Sequence, residues 1–287
     1  MIDGLRVAVI GLGLMGGSLA RALAQRGVHV LGHDRNGVHL DAALRAGAVH
    51  EPLDAELGAL EGVDVVVLAV PVDVTVALLE RHATRFATAR LVTDLASTKR
   101  SIQDTAERVG LGRCYVGAHP LTGSHRSGWS ATRASMYDGA RVFLCPGPRA
   151  SAEAVALSHE LWRSLRSGVE VLDAATHDAQ MAWRSHLPHV VSTALAVTLG
   201  DAGVRRSALG PGGRDVTRLA GGATSMWGAI VQDNAPAIVE ALAAYEARVR
   251  AFREALQSAD AEATRAFLIA GTDWFDGDPE ASPRASL

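Results

Sequence analysis

The chain has 287 residues, 48% of them hydrophobic, and a formal net charge of −3. That length suits about two domains, and an acidic chain without runs of Lys or Arg argues against nucleic acid as a partner. Its two cysteines, Cys114 and Cys145, are too few for a disulfide framework or a zinc knuckle and fit a reducing compartment. The opening residues do not read as a cleavable leader, so none is expected, and no apolar stretch reaches the ~18 residues of a membrane span. The expectation is a cytoplasmic protein with no membrane partner.

Taken in order, RVAVIG, HVLGHD, DVVVLAV, RLVTDL, YVGAHP, ARVFLCP and VEVL read as strands separated by helix-length segments. Each is almost continuously apolar, as strands covered on both faces must be. They predict an α/β, doubly wound, Rossmann-type dinucleotide-binding domain over residues 1–172. From Asp173 the strand signal stops, and long Ala- and Leu-rich segments of helical period follow. Residues 173–287 are expected to form an all-helical substrate and dimerisation domain, ending in a polar tail from Gly271. These helices carry more apolar surface than a small bundle needs, which predicts a homodimer.

Between the first strand and the first helix, VAVIGLGLMGGSL sets Gly11, Gly13 and Gly16 as GxGxxG, with Leu12, Leu14 and Met15 between them. Such a turn lets a pyrophosphate approach the backbone at a helix N-terminus. Asp34 ends the second strand 18 residues after Gly16, close to the ~20 expected of an acid that holds a ribose 2′-hydroxyl. A carboxylate there repels a 2′-phosphate, so NAD is expected ahead of NADP. Arg35 follows directly and can turn toward such a phosphate. Val70 and Pro71, at the end of LAVPV, fall at the carboxyl edge of the sheet, where ligands of such folds bind.

Two further strand ends are loaded with polar groups, TDLASTK (93–99) and GAHPLTGSHRSG (117–128). Ser97 reads equally well as a helix cap or as a site residue. His119, between a strand and a Pro-Leu-Thr-Gly turn, is presented to the crevice and is a candidate base. Later, SHLPH places two histidines around a proline inside a helix. A metal reading lacks a third ligand, since no HExxH or CxxC occurs, and no metal is expected.

With VIGLGLMGGSLA, these segments, HDAQMAWRSHLPHVV and GPGGRDVTRLAGGATSMW stand in an order and spacing that resembles the prephenate and arogenate dehydrogenases of tyrosine biosynthesis. The resemblance implies an NAD-dependent oxidative decarboxylation of a small cyclohexadienol, with prephenate the leading substrate and arogenate or an amino analogue the alternatives. It implies that His119 takes the proton of the substrate's 4-hydroxyl, that Ser97 braces the same hydroxyl, and that Ser124 and His189 contact substrate. Arg218 would hold a substrate carboxylate and Trp227 would wall the pocket. Leu121, Thr122, Gly213 and His125 depart from the family pattern and bear on substrate choice.

Independently of the resemblance, Asp178, Ser185 and His189 fall within about 40° on one face of a regular helix, at about 100° per residue. On the same reckoning His186 points elsewhere. Arg214 and Arg218, one turn apart, can gather charge for a dianionic substrate, with Asp215 or Asp178 orienting them. A 3-hydroxyacid dehydrogenase would need a lysine in the helical domain, and Lys99 is the only lysine in the chain.

Overall fold

A computed structural model describes residues 2–58, 60–123 and 126–277. The chain begins with β1 (Arg6–Ile10), α1 (Leu14–Ala24), β2 (His29–His33), α2 (Gly37–Arg45), β3 (Glu51–Pro52), β4 (Val65–Leu68), α3 (Val72–Phe86) and β5 (Leu91–Asp94). These five strands form one parallel sheet in the order β3-β2-β1-β4-β5. Successive side chains of a strand point to opposite faces, and both faces are dry here. Val7, Val9, Val65 and Val67 pack with Leu19 and Leu23 on one side. Ala8, Ile10, Val66 and Leu68 pack with Leu79 and Phe86 on the other.

After α4 (Arg100–Arg108) come β6 (Val116–Leu121), β7 (Arg141–Pro146), α5 (Ala152–Ser164) and β8 (Gly168–Val171). They form a second sheet in which β6 and β7 are antiparallel while β7 and β8 are parallel. A parallel bridge, Val92 to Tyr115, joins its start to β5. The doubly wound α/β domain expected from the apolar strands is present, with β6 and β7 forming an antiparallel pair in its second sheet. A buried apolar strand reads alike in either direction. Among its described residues the connection from β6 to β7 holds a short 3₁₀ turn, Trp129–Ala131, and no crossover helix of the kind that usually joins parallel neighbours.

Among the described residues no strand follows Val171. The remainder is α6 (Ala174–Met181), a π-helical turn (Ala182–His186), α7 (Leu187–Asp201), α8 (Pro211–Val216), α9 (Thr224–Asp233), α10 (Ala235–Gln257) and α11 (Ala261–Asp276). By contact density the chain divides into two compact units, Met1–Ala237 and Ile238–Leu287. In the first, α6 packs on β7 and α4, and α9 on α3. In the second, Phe252 and Phe267 stack with ring centroids 4.4 Å apart. The polar tail expected from Gly271 begins later than its composition suggests, because α11 continues to Asp276 and Gly277 N–H still bonds Asp273 O. Among the described residues no helix is long and apolar enough to cross a membrane.

The π turn resolves the awkward proline. In a regular helix Pro188 would face the Arg184 carbonyl without an N–H to offer it. Here Leu187 N–H instead reaches back five residues to Ala182 O, which widens the turn ahead of the proline ring. The extra residue also shifts the helical phase, so the regular period of about 100° per residue that sets Asp178, Ser185 and His189 on one face does not hold across this turn. His186, expected to point elsewhere, turns inward and is buried.

Candidate active site

The first glycine turn is held open for a ligand. Gly11 has φ +98°, and a Cβ at Gly16 would lie 1.8 Å from Gly11 O, whereas one on Gly13 would meet nothing within 4 Å. The turn is thus closed on its protein side and vacant on the other, at the N-terminus of α1, where free N–H groups favour an anion. Asp34 ties the end of β2 to this turn: one carboxylate oxygen accepts from Leu12 N–H at 2.7 Å and the other from Asn36 N–H at 2.8 Å. Gly11, Gly13, Asp34, Arg35, Val70 and Pro71 line one cleft of about 920 Å³. Leu12, Leu14, Met15 and Gly16 build the turn beneath it without lining it. The opposite wall, Ser127 to Ser130, was not foreseen from sequence. It is steadied by Arg21, whose guanidinium lies 4.3 Å from the Trp129 ring centroid.

A second cavity, of about 380 Å³, lies at the carboxyl edge of β5 and β6. Ser97, His119, Ser185 and Trp227 line it together with Thr122, Arg141, Arg184 and His186. The β6–β7 register sets Leu121 opposite Arg141 and His119 opposite Phe143, so Arg141 shares the sheet face of His119. Among the described residues, no carboxylate lines this cavity and no ion pair engages Arg141 or Arg184.

His119 Nδ1 lies 2.9 Å from His177 Nε2, and His177 Nδ1 lies 2.7 Å from Asp178 Oδ1. Asp178 in turn accepts from the Lys99 and Arg100 N–H groups, both at 2.9 Å, at the start of α4. Burial, with His177, Lys99 and His186 close by, holds the His119 imidazole well below the ordinary histidine value. Burial alone would raise the Asp178 carboxyl; the hydrogen bonds from His177, Arg100 and Lys99 outweigh it and keep the group low. Behind His119, Lys99 is fully buried in an ion pair with Asp94, which also accepts from Tyr115 OH at 2.6 Å.

The remaining predicted residues lie apart from this cavity within the chain. His189 is buried behind Trp227, with ring centroids 3.5 Å apart and planes at 9°. Arg214 and Arg218 are exposed, on α8 and on the turn Arg218–Gly221, and outside the lining. No ion pair joins Asp215 or Asp178 to either among the described residues. Asp178 serves α4 and His177 instead. Ser124 lies outside the described residues. No cluster of three His, Cys, Asp or Glu able to hold a metal occurs among the described residues.

A nucleotide cleft at a glycine turn, beside a histidine-centred polar cavity and followed by helices, defines a dehydrogenase of the Rossmann class. Comparison with known proteins narrows it. Family models described as "Prephenate dehydrogenase, nucleotide-binding domain" and "Prephenate dehydrogenase, dimerization domain" match residues 19–171 and 173–269. The chain belongs to the prephenate dehydrogenase family of oxidoreductases. It is 29% identical to the prephenate dehydrogenase of Bacillus subtilis (strain 168), over 95% of this chain and 76% of that protein. The structure of prephenate dehydrogenase from A. aeolicus in complex with hydroxyphenyl propionate and NAD+ superposes with a TM-score of 0.86 at 26% identity, covering 96% of this chain and 99% of that one. Synechocystis arogenate dehydrogenase gives 0.80 at 26% identity, covering 96% and 100%.

Proposed function

We propose that this chain catalyses the NAD-dependent oxidative decarboxylation of prephenate to 4-hydroxyphenylpyruvate, a step of tyrosine biosynthesis. The observation that carries the reading is the composition of the 380 Å³ cavity: two buried histidines, serine hydroxyls and two guanidiniums, with no carboxylate in the lining and no ion pair to either guanidinium among the described residues. Prephenate brings two carboxylates and no cation, and arginine grips a carboxylate through two parallel hydrogen bonds. Arogenate carries a side-chain ammonium, for which the described lining residues offer no acid.

Gly11, Gly13 and the first-turn N–H groups of α1 would hold the pyrophosphate of NAD, Asp34 a ribose hydroxyl, and Val70 and Pro71 the cleft wall. When bound, NAD supplies the acceptor for the hydride from ring C4. His119 accepts the 4-hydroxyl proton as C4 gains carbonyl character, and Ser97 braces the same oxygen. Arg141 and Arg184 orient the carboxylates; the resemblance assigns Arg218 to the same task, although within the single chain it lies outside this cavity. Loss of the ring carboxylate as CO2 makes the ring aromatic, and the phenol oxygen recovers the proton. The dimerisation-domain match and the exposed apolar helices support a homodimer as the working form.

The test is NADH formation from prephenate and from arogenate, in the parent and in His119→Asn. Expected are a clear kcat/KM preference for prephenate and a kcat lowered by roughly 10²- to 10⁴-fold in the variant. Turnover of arogenate at an equal or greater kcat/KM would contradict the substrate assignment, and no turnover of either would contradict the reaction.

A further inference from the structure

His177 opens the HDAQ segment but the sequence assigns it no role, yet it is fully buried and bridges His119 to Asp178. The direction of each hydrogen bond follows from the end of the chain. Asp178 accepts from two backbone N–H groups at the start of α4, where an ionised carboxylate is favoured by the helix N-terminus. An ionised carboxylate can only accept, so the proton of the 2.7 Å contact sits on His177 Nδ1. In a neutral imidazole the other nitrogen then carries a lone pair. His177 Nε2 is therefore the acceptor at 2.9 Å, and His119 Nδ1 the donor. That leaves the lone pair of His119 on Nε2.

We propose that His177 and Asp178 form a positioning dyad that fixes His119 as the Nδ1–H tautomer, reserving Nε2 as the base for the substrate hydroxyl. This rests on the reaction proposed above. In the step itself the substrate O–H bond breaks, its proton forms a bond to Nε2, and its electron pair becomes part of the C4 carbonyl as hydride departs to NAD. The resulting imidazolium keeps Nδ1–H on His177 Nε2, and no proton moves to Asp178. The dyad is a buried acceptor already pointed at the charge that develops, so little reorganisation is needed. The same carboxylate holds the Lys99 and Arg100 N–H groups at the start of α4, two and three residues beyond Ser97, so one anion steadies the segment that carries Ser97 and the orientation of His119. The ring of His177 is held from the side by Phe143, with centroids 5.5 Å apart at 75°. Other charged or titratable groups that act on His119 are Lys99, before α4, and His186, in the π turn.

The tautomer can be read without any reaction. In unliganded protein carrying ¹⁵N-histidine, His119 should show a protonated Nδ1 and an unprotonated Nε2 near neutral pH. His177→Phe, which removes the acceptor, should mix the two forms of His119 and lower kcat by roughly 10²-fold with KM little changed. It should also move the acid limb of the kcat profile. His177→Gln, whose amide can accept from His119 and donate to Asp178, should keep most of kcat and the parent limb. A parent His119 protonated on Nε2 overturns the proposal even if the Phe variant does not fold. So does a folded His177→Phe with the parent tautomer, kcat and limb. Because the spectrum needs no turnover, failure of the dyad is distinguishable from failure of the assigned reaction.

Discussion

Trp227 lies flat on His189, ring centroids 3.5 Å apart and planes 9° from parallel. One face of the indole covers a buried histidine while the residue also lines the cavity beside His119. Aromatic pairs of this kind contribute about 0.5–1.5 kcal/mol beyond area burial. Trp227→Leu is therefore expected to raise KM for prephenate by roughly 3- to 10-fold, with kcat less affected, and Trp227→Phe to retain most of the affinity. Steady-state kinetics of both variants check this.

Asp34 has two duties, since its carboxylate both faces the nucleotide cleft and holds Leu12 N–H. The parent should prefer NAD to NADP in kcat/KM, and Asp34→Ser should narrow the ratio. The same substitution should also destabilise the fold, by about 1–3 kcal/mol for an N–H left unsatisfied. Equal kcat/KM for the two cofactors in the parent would refute the first expectation, and an unchanged denaturation midpoint in the variant the second.

The cationic set can be dissected by substitution. Arg141→Gln, Arg184→Gln and Arg218→Gln should each raise KM for prephenate, by roughly 10- to 30-fold if one charge-assisted pair of about 2 kcal/mol is lost, with smaller effects on kcat. An Arg variant with parental KM removes that residue from the set.

His186 makes stability depend on acidity. Burial is the main cause that brings its pKa down to about 4; His177 and His189 add to the fall and Asp178 opposes it. Asn234 donates to its Nδ1 at 3.1 Å and so favours the neutral ring. A histidine with a depressed folded-state pKa contributes fully above its unfolded value, near 6.5, and the contribution is lost as pH falls through the folded value. The stability of the folded chain should decline between about pH 6.5 and 4, His186 accounting for roughly 3 kcal/mol of the loss. His186→Gln should flatten that decline in urea titrations at stepped pH.

Val197, Val239, Leu256, Leu268 and Trp274 are each more than half exposed in the single chain. Sedimentation should therefore find a particle of about twice 30.0 kDa at micromolar concentration. Leu268→Glu with Trp274→Glu should shift it toward the monomer; a parent that sediments as a monomer would refute the dimer.

What could be read from sequence was local. The glycine turn and Asp34 announce themselves because spacing along the chain equals geometry where a strand, a turn and a helix follow one another. His119 and Ser97 are legible as polar residues at strand ends. His177 is not, since its partner His119 lies 58 residues away and the two meet through the docking of α6 on β7 and α4. Arg141 gains its place from the antiparallel β6–β7 pair, which an apolar strand pattern cannot reveal. Arg184 and His186 depend on the π turn, a hydrogen-bond shift with no counterpart in hydrophobic period.

The seclusion of Lys99 has a consequence for chemistry done to the protein rather than by it. Every solvent-facing side-chain cation is a guanidinium, because the one lysine is sealed against Asp94 with no exposed surface. Acylating reagents, acetyl donors and ubiquitin-transfer enzymes thus find no lysine amine on the folded molecule. Only an opening that breaches the core beneath His119 can expose it, so the rate at which Lys99 becomes acylated is a clock for that opening.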